Sequence, residues 1–284
     1  MNQLTLKKYD LENERFRIRY VNEKRYFEMK KTHFHNAFEI YYLLRGEKLF
    51  FVNNKLFSAG KGDMVIINPF DVHKTSSVEN MEAERILLHF KQDFIEELSK
   101  QENFDLAKMK MIPTKVSFTI KEQIQIEMIL KEILKECEEK QANCKLYIKS
   151  LLFMLLIRIL RHNQNERMEK EYVGNPIEQK MLDIATYISS NYHDNLTLSK
   201  LSSEYYISQG YLSRTFKKVT GLNISEYIQL VRIRESQKLL QDTNDKIIEI
   251  AATVGFSQIA HFNKTFKKVT GTSPQRFRNT SKTI

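Results

Sequence analysis

The segment FKKVTG occurs twice in this chain, at 216–221 and again at 266–271. A six-residue identity of that composition is not a chance event, so the surrounding residues belong to two copies of one unit. Extending upstream pairs LSSEYYISQGYLSRTFKKVTG (201–221) with IAATVGFSQIAHFNKTFKKVTG (250–271), at an offset of 49 residues before a one-residue insertion and 50 after it. Each copy reads as helix, tight turn, helix. In the second, Ile247, Ile248, Ala251 and Val254 give a short helix with an apolar face. Gly255 supplies a turn position suited to positive φ, and Ser257 is a candidate cap for the next helix. Phe262 and Phe266 follow at i and i+4 on the core side. In the first copy Leu198, Leu201 and Tyr205 form the short helix, Ser208 is the candidate cap, and Leu212 and Phe216 take the two Phe places. Two helices joined by a turn of about four residues is the helix-turn-helix arrangement, whose second helix enters the major groove of duplex DNA.

Fixing the apolar face fixes the solvent face. In the first copy it carries Ser208, Gln209, Gly210, Ser213, Arg214 and Lys217. In the second it carries Gln258, Ala260, His261, Asn263, Lys264 and Lys267. Arg and Lys pair with guanine edges, Gln and Asn with adenine, and small residues permit close approach or touch a thymine methyl. Lys217-Lys218 and Lys267-Lys268 sit toward the helix ends, where phosphates are within reach. One such face is read equally well as a solvated basic surface; two in register favour DNA. The charge agrees. The chain has 45 Lys and Arg against 35 Asp and Glu, net +10. From Pro176 onward there are 15 basic and 9 acidic residues, and the first 175 residues hold the other 30 and 26. The shorter C-terminal part is the more basic per residue, as a polyanionic partner requires.

With these residues in view, the chain resembles the AraC/XylS family of transcription regulators. IAATVGFSQIAHFNKTFKKVTGTSPQRFR (250–278) is similar to that family's signature along its whole length, through Gly255-Phe256, Phe262, Phe266-Lys267-Lys268, Gly271, Ser273-Pro274 and Phe277-Arg278. The first copy is similar at Tyr211-Leu212-Ser213-Arg214 and Phe216, and departs at Ser202 and at Tyr206, which stands opposite Gly255. The resemblance implies that 224–241 is a rigid spacer helix placing the two recognition helices in successive major grooves, about 34 Å apart.

The N-terminal half reads differently. FEIYYLL (38–44), KLFFVNN (48–54), MVIINP (64–69) and RILLHF (85–90) are short, β-branched and aromatic, and are separated by turn residues. This spacing predicts an antiparallel sandwich or barrel within 15–90. Residues 91–112 read as irregular and helical. Two amphipathic helices follow within 121–162. The second, around Leu146–Leu160, is apolar nearly all round and must be covered, by the barrel or by a subunit interface, with the interface favoured. The polar stretch between them, CEEKQANC, is a turn or an exposed piece of helix. On one helix Cys137 and Cys144 would lie too far apart for a disulfide, about 10.5 Å. Residues 163–175 read as a polar linker.

Within the predicted barrel, His33, His35, Glu39 and Gly46 form the pattern HxHxxxE(x6)G, with Gly62-Asp63, Asn68-Pro69 and His73 beyond it. Three His and a carboxylate suit a transition metal, and the pattern resembles the metal-binding motifs of the cupin barrel. AraC-type regulators resemble it too, and their resemblance implies an organic effector bound in the barrel without metal. The effector residues expected are therefore His33, His35, Glu39, Tyr41 and His73, with no metal and no cofactor. Arg17, Arg19 and Tyr20 are placed in an N-terminal arm able to close over a ligand.

The expected fold is α+β: a cupin-like antiparallel β-barrel (1–112), a helical dimerisation segment (113–162), a linker (163–175) and an all-α domain of two helix-turn-helix units (176–284). The expected function is sequence-specific transcription regulation, as an activator, by a homodimer. Its expected partners are promoter DNA, a small organic effector such as a sugar or oligosaccharide, and RNA polymerase. Two alternatives stand beside it: a cupin metalloenzyme (isomerase or dioxygenase), and a regulator controlled by a protein partner. The sequence has no P-loop, no GxGxxG and no catalytic Ser/His/Asp or Cys/His arrangement, so no enzyme activity is expected. The longest apolar stretch is broken by Lys149 and Arg158 and falls short of the roughly 20 residues a membrane span needs. The first residues contain no apolar signal segment. The expected location is the cytoplasm.

Overall fold

A computed structural model describes residues 5–12, 15–23, 35–77, 82–101, 104, 109, 112, 114–163 and 176–282. His33 and the linker from 164 to 175 lie outside the described residues. Among the described residues the N-terminal half contains nine strands: β1 Thr5–Leu11, β2 Phe16–Glu23, β3 Phe38–Arg45, β4 Lys48–Val52, β5 Lys55–Ala59, β6 Asp63–Ile67, β7 His73–Ser77, β8 Ala83–Phe90 and β9 Lys115–Ser117. All their pairings are antiparallel.

The expected barrel is not closed. The strands form a six-stranded sheet in the order β1-β2-β8-β3-β6-β9 and a separate three-stranded sheet in the order β5-β4-β7. The reason lies at the corner after β3. Successive strands β3 and β4 do not pair; the chain turns at Gly46 and enters the other sheet. Gly46 has φ +79°, and a Cβ there would come within 2.1 Å of the Glu82 carbonyl oxygen, so only glycine fits this corner.

β3 is buried on both faces. Phe38, Ile40 and Tyr42 face a core shared with two helices, α2 (Ile120–Glu139) and α3 (Cys144–Asn163), which follow a short α1 (Glu96–Gln101). Tyr41 and Leu43 face the other way, into the interior between the sheets, with Phe50, Val52, Phe57, Val65, Ile67 and Leu87. Thr119 starts α2 through a capping box with Glu122. Lys140, in the left-handed conformation, ends it. Cys137 and Cys144 therefore lie on two helices rather than one, and both are free thiols. Burial pushes the Cys137 thiol up to about 12.

The heavily apolar α3 buries Ile148, Leu151, Leu152, Leu155, Leu156 and Ile159 against α2 and the six-stranded sheet. This corrects the reading of that helix as mainly an interface: its apolar load is spent within the chain. The apolar side chains left exposed are Ile120, Ile124 and Met128 on α2 and Leu146, Tyr147 and Met154 on α3.

The C-terminal part is helical: α4 Pro176–Ser190, α5 Leu198–Glu204, α6 Gln209–Thr220, α7 Ile224–Asp242, α8 Ile247–Thr253, α9 Ile259–Thr270 and α10 Pro274–Lys282. Helix α7 belongs to two cores. Ile224, Tyr227, Ile228, Leu230 and Val231 pack with α4–α6. Ile233 and Leu240 pack with α8–α10. One unbroken helix thus holds both helix-turn-helix units.

The two halves of the chain touch. Phe51 and Leu56, from the three-stranded sheet, join the core of the first unit. The Tyr227 hydroxyl donates to the Asn53 carbonyl oxygen at 2.8 Å, and Lys74 Nζ donates to the Lys218 carbonyl oxygen at 3.1 Å. Phe70 meets Phe277 at 6.2 Å between ring centres. Among the described residues no helix is long and apolar enough to cross a membrane.

Candidate functional site

The duplicated segments form matched local structures. Leu212 and Phe216 in α6, and Phe262 and Phe266 in α9, are fully buried. Both helices stop at a left-handed glycine, Gly221 (φ 81°) and Gly271 (φ 78°), whose amide donates to the Lys217 or Lys267 carbonyl oxygen. Thr220 and Thr270 donate back to the Phe216 and Phe266 carbonyl oxygens at 2.8 and 2.9 Å, then accept from the amides of Leu222 and Thr272. Val-Thr-Gly in both repeats is therefore a helix stop.

The starts of the two helices differ. Ser208 caps α6 by accepting from the Tyr211 amide at 3.3 Å. Helix α9 begins one residue later than its sequence suggests: Gln258, not Ser257, is the N-cap, and its side chain makes no capping bond. The turn between the short and long helix is left-handed in both copies, with Tyr206 at φ 53° and Gly255 at φ 91°. At Gly255 a Cβ would lie 2.8 Å from the His193 carbonyl oxygen and 2.9 Å from the Arg232 guanidinium. Tyr206 meets no such obstacle and is 93% exposed, so the residue that departs from the pattern keeps the same turn.

Ser208, Gln209, Gly210, Arg214 and Lys217 are exposed on the first unit, with Ser213 half-buried. On the second, Gln258, Ala260, His261, Asn263, Lys264 and Lys267 are all exposed. Each recognition helix thus buries its aromatic side and leaves its cationic and amide side open. Between them Arg232 of α7 donates to the Tyr192 and Asp194 carbonyl oxygens, each at 2.7 Å, and its guanidinium lies 5.7 Å from the centre of the Phe256 ring. This fixes α7 against the segment between α4 and α5.

The second candidate site lies between the two sheets. Glu39, 1% exposed, is contacted by three imidazoles. His35 Nε2 is 2.8 Å and His73 Nε2 3.0 Å from its Oε2; His89 Nε2 is 2.7 Å from its Oε1. Burial works against the charged form of Glu39, yet these imidazoles overcome it and hold its carboxyl well below the usual range. Burial also pushes the His89 imidazole down from its ordinary value. Tyr41, two residues along β3, is buried beside this group, and burial together with the Glu39 charge pushes its hydroxyl up.

Of the expected effector residues, His35, Glu39 and His73 meet, and Tyr41 adjoins them. His33 lies outside the described residues. His89 was not foreseen, although the strand pairing Glu39↔His89 places it directly opposite Glu39. A register of β3 on β8 would have found it. Arg17, Arg19 and Tyr20 are corrected too: they belong to β2, paired on one side with β1 and on the other with β8, rather than to an arm.

Elsewhere in the interior lies a buried charge cluster that no sequence pattern announced. Glu23 accepts from Arg85 at 2.7 Å and from Lys48, which also donates to the Ser77 hydroxyl. Lys48 is 0% exposed, and burial and Arg85 lower its ammonium to about 8 despite Glu23. Outside the interior, a cavity of about 680 Å3 opens beside α2 and α3, lined by Phe118, Ile126, Phe153, Ile157, Arg158 and Arg161 among others. It contains none of the expected effector residues.

Comparison with known proteins agrees with both halves. An AraC-like ligand binding domain model matches residues 18–156, and a helix-turn-helix domain model matches residues 201–280. Among curated relatives, the bifunctional transcriptional activator/DNA repair enzyme AdaA of Bacillus subtilis is 41% identical over 113 residues, covering 38% of this chain and 54% of that protein. The HTH-type transcriptional regulator YisR of the same species is 25% identical over 267 residues, covering 89% of this chain and 90% of YisR. A Staphylococcus aureus HTH-type regulator is 24% identical over 86% of this chain, which spans only 31% of it. Among solved structures, ToxT of Vibrio cholerae aligns over 95% of this chain and 99% of its own, at 12% identity and a TM-score of 0.39. With a sensing-domain match, a helix-turn-helix match and regulators among its relatives, the chain belongs to the AraC/XylS family of DNA-binding transcription regulators.

Proposed function

We propose that this regulator is an activator that binds promoter DNA through α6 and α9 and responds to a small organic effector in the N-terminal sandwich. The observation that carries the reading is the pair of matched helices, each burying two apolar anchors and exposing Arg or Lys beside Gln, Asn or small residues. Arg214 and Lys264 are the base-reading candidates, and Lys217 and Lys267 the phosphate contacts. The effector is a polar molecule, a sugar or oligosaccharide, hydrogen-bonded by His35, Glu39, Tyr41, His73 and His89. The chain acts as a homodimer through the exposed apolar residues of α2 and α3, in the cytoplasm, with RNA polymerase as the activator's partner and no catalytic activity of its own. The domain limits follow the sequence: sensing half, helical segment to 162, linker, and DNA-binding domain from 176.

The test is binding to the chain's own promoter region at several salt concentrations. Log affinity should fall linearly and steeply with log salt. Arg214→Ala and Lys264→Ala should each cost about 1–3 kcal/mol at a matched base pair and relax discrimination there. Salt-independent binding, or unchanged discrimination in both variants, would overturn the assignment of these faces.

A second placement of the effector has one observation in its favour. The cavity beside α2 and α3 is within the size range of small-molecule sites, about 300–1,000 Å3, whereas the aromatic and aliphatic residues between the sheets are closely packed. Phe153→Trp would narrow that cavity by enlarging one of its lining side chains. Loss of effector response in Phe153→Trp but not in Tyr41→Phe would move the effector there.

A further inference from the structure

We propose that the cavity beside α2 and α3 binds an amphipathic organic anion, with a carboxylate or phosphate head on Arg158 and Arg161 and an aryl body on the apolar wall. The lining is ordered along α3. Ser150, Phe153, Met154, Ile157, Arg158 and Arg161 follow at alternating intervals of three and one, so they share one face of the helix. That face is apolar from Phe153 to Ile157 and cationic at Arg158 and Arg161. At 1.5 Å per residue, Phe153 to Arg161 spans about 12 Å, the length of a small molecule with a head and a body. Leu98 of α1 and Ile126 of α2 complete the apolar lining. Phenyl rings and a thioether favour an aromatic body, through stacking and sulfur–ring contact.

The cationic end lacks a counter-charge. Arg158 and Arg161 lie three apart, and like charges at that spacing on a helix repel. Among the described residues neither makes an ion pair. Arg158 Nη1 donates to the Oε1 of Gln125, a neutral amide, and its Nε is buried without an acceptor. The carboxylate in the lining, Glu122, is already engaged at both oxygens. Its Oε2 accepts from the Thr119 amide at 3.0 Å and hydroxyl at 2.7 Å, and its Oε1 lies 2.9 Å from His162 Nδ1. His162 in turn packs 4.6 Å from the Phe118 ring, which closes that end of the cavity.

Two guanidinium groups therefore border a space of about 680 Å3 with no anion to answer them. A bound carboxylate or phosphate supplies both acceptors and charge, through the paired N–H···O bonds that a guanidinium fork makes. A cation would meet two like charges, and a neutral molecule would leave both unanswered. The position of Arg161 in the last turn of α3 is favoured by the helix dipole. The dipole does not account for the acceptorless Nε of Arg158 one turn earlier. This site shares no residue with the group around Glu39. It rests on the second placement of the effector for its location, but not for any regulatory consequence. An anion that binds there and leaves promoter affinity unchanged removes the cavity as the effector site, while the binding site stands.

The test is calorimetric titration of the full chain, without DNA, with four probes that share one body: 4-phenylbutyrate, 3-phenylpropyl phosphate, 3-phenylpropanol and 3-phenylpropylamine. At least one of the two anions should bind one equivalent with a Kd of about 1 mM or tighter, and about tenfold or more tighter than the alcohol. The amine should bind more weakly than the alcohol. The tighter anion distinguishes a carboxylate from a phosphate head. Arg158→Gln and Arg161→Gln should each weaken the anion about tenfold and leave the alcohol nearly unchanged. Phe153→Trp should weaken both. Tyr41→Phe between the sheets and Lys264→Ala on α9 should change neither. Arg161 is exposed, so Arg161→Gln serves if Arg158→Gln does not fold. Alcohol and anions binding equally, neither anion binding, or anion affinity that survives in the folded Arg variants or falls with Lys264→Ala overturns the proposal.

Discussion

Glu23 holds two buried cations, and its removal should be among the costliest single changes in the sandwich. With Gln in its place Lys48 and Arg85 face each other without a counter-charge, a loss of about 3–5 kcal/mol. Lys48→Met should cost little, within about 1 kcal/mol at pH 7, because Arg85 still pairs with Glu23 and the desolvation of the ammonium disappears. The lowered Lys48 value has a pH signature. Between about pH 8 and 10.5 the unfolded chain keeps a proton that the folded chain has released, so this residue's contribution to stability rises with pH across that window. Below pH 8 the penalty is complete. Subtracting the pH profile of Lys48→Met from that of the wild type, by urea unfolding at each pH, should leave this rise; a flat difference would mean that Lys48 is not held at a lowered value. Glycine gives a second comparison at this scale. Gly271→Ala should cost about 1–2 kcal/mol for its left-handed backbone alone, since its added Cβ meets nothing within 4 Å. Gly255→Ala should cost more, because the same methyl collides with the His193 carbonyl oxygen and Arg232. The sequence disclosed Gly255 through its place in the repeat. It could not disclose Glu23, Lys48 or His89, whose partners lie on strands distant in sequence and meet only once the register is known.

At the scale of the element, legibility followed the range of the interactions. The helix-turn-helix units are built from contacts within about twenty residues, so their apolar spacing, turn and stop signals were all present in one stretch of chain. The exception is instructive. Ser208 and Ser257 occupy matching places before the long helices, yet Ser208 caps and Ser257 does not, because α9 begins after Gln258. Ser208→Ala should therefore cost about 1 kcal/mol in thermal or urea unfolding, while Ser257→Ala should fall within about 0.5 kcal/mol of the wild type. Equal losses would return the cap to Ser257. In the sheets the limits were different. Short β-branched and aromatic runs between turn residues identified β3, β4, β6 and β8, but β1, with its Lys and Asp residues, and the three-residue β9 carry too little apolar pattern to stand out. Closure was misread because local sequence marks the turn at Gly46 without saying that it changes sheets. The apolar load of α3 has the same ambiguity: a helix covered by its own sheet and one covered by a partner look alike in sequence.

For the molecule as a whole, the decisive geometry is strand β7. Alternation along it turns His73 inward to Glu39 and Lys74 outward to the Lys218 carbonyl oxygen at the C-terminal end of α6. Neighbouring β4 does the same, with Phe50 and Val52 inside and Phe51 packed 6.5 Å from the Tyr227 ring at the start of α7. A change at the interior site thus lies one residue from the surface that grips the first helix-turn-helix unit. A cation beside exposed carbonyls is also favoured by the helix dipole, so Lys74 adds attraction as well as a hydrogen bond. The second unit meets the sensing half at Phe70 and Phe277, and α7 joins it to the first unit. Phe51→Asp should break this docking by placing a charge in an apolar seam. Hydrogen exchange should then speed up in α4 and in the first turn of α7, while α8 and α9 keep their protection. Promoter affinity should change by threefold or more, yet the length of the protected DNA should not, because α7 still sets the spacing of the two recognition helices. Unchanged exchange in α4 would show that the two halves are held together by other contacts. A lengthened or shortened footprint would show instead that the sensing half, rather than α7, fixes the distance between the units.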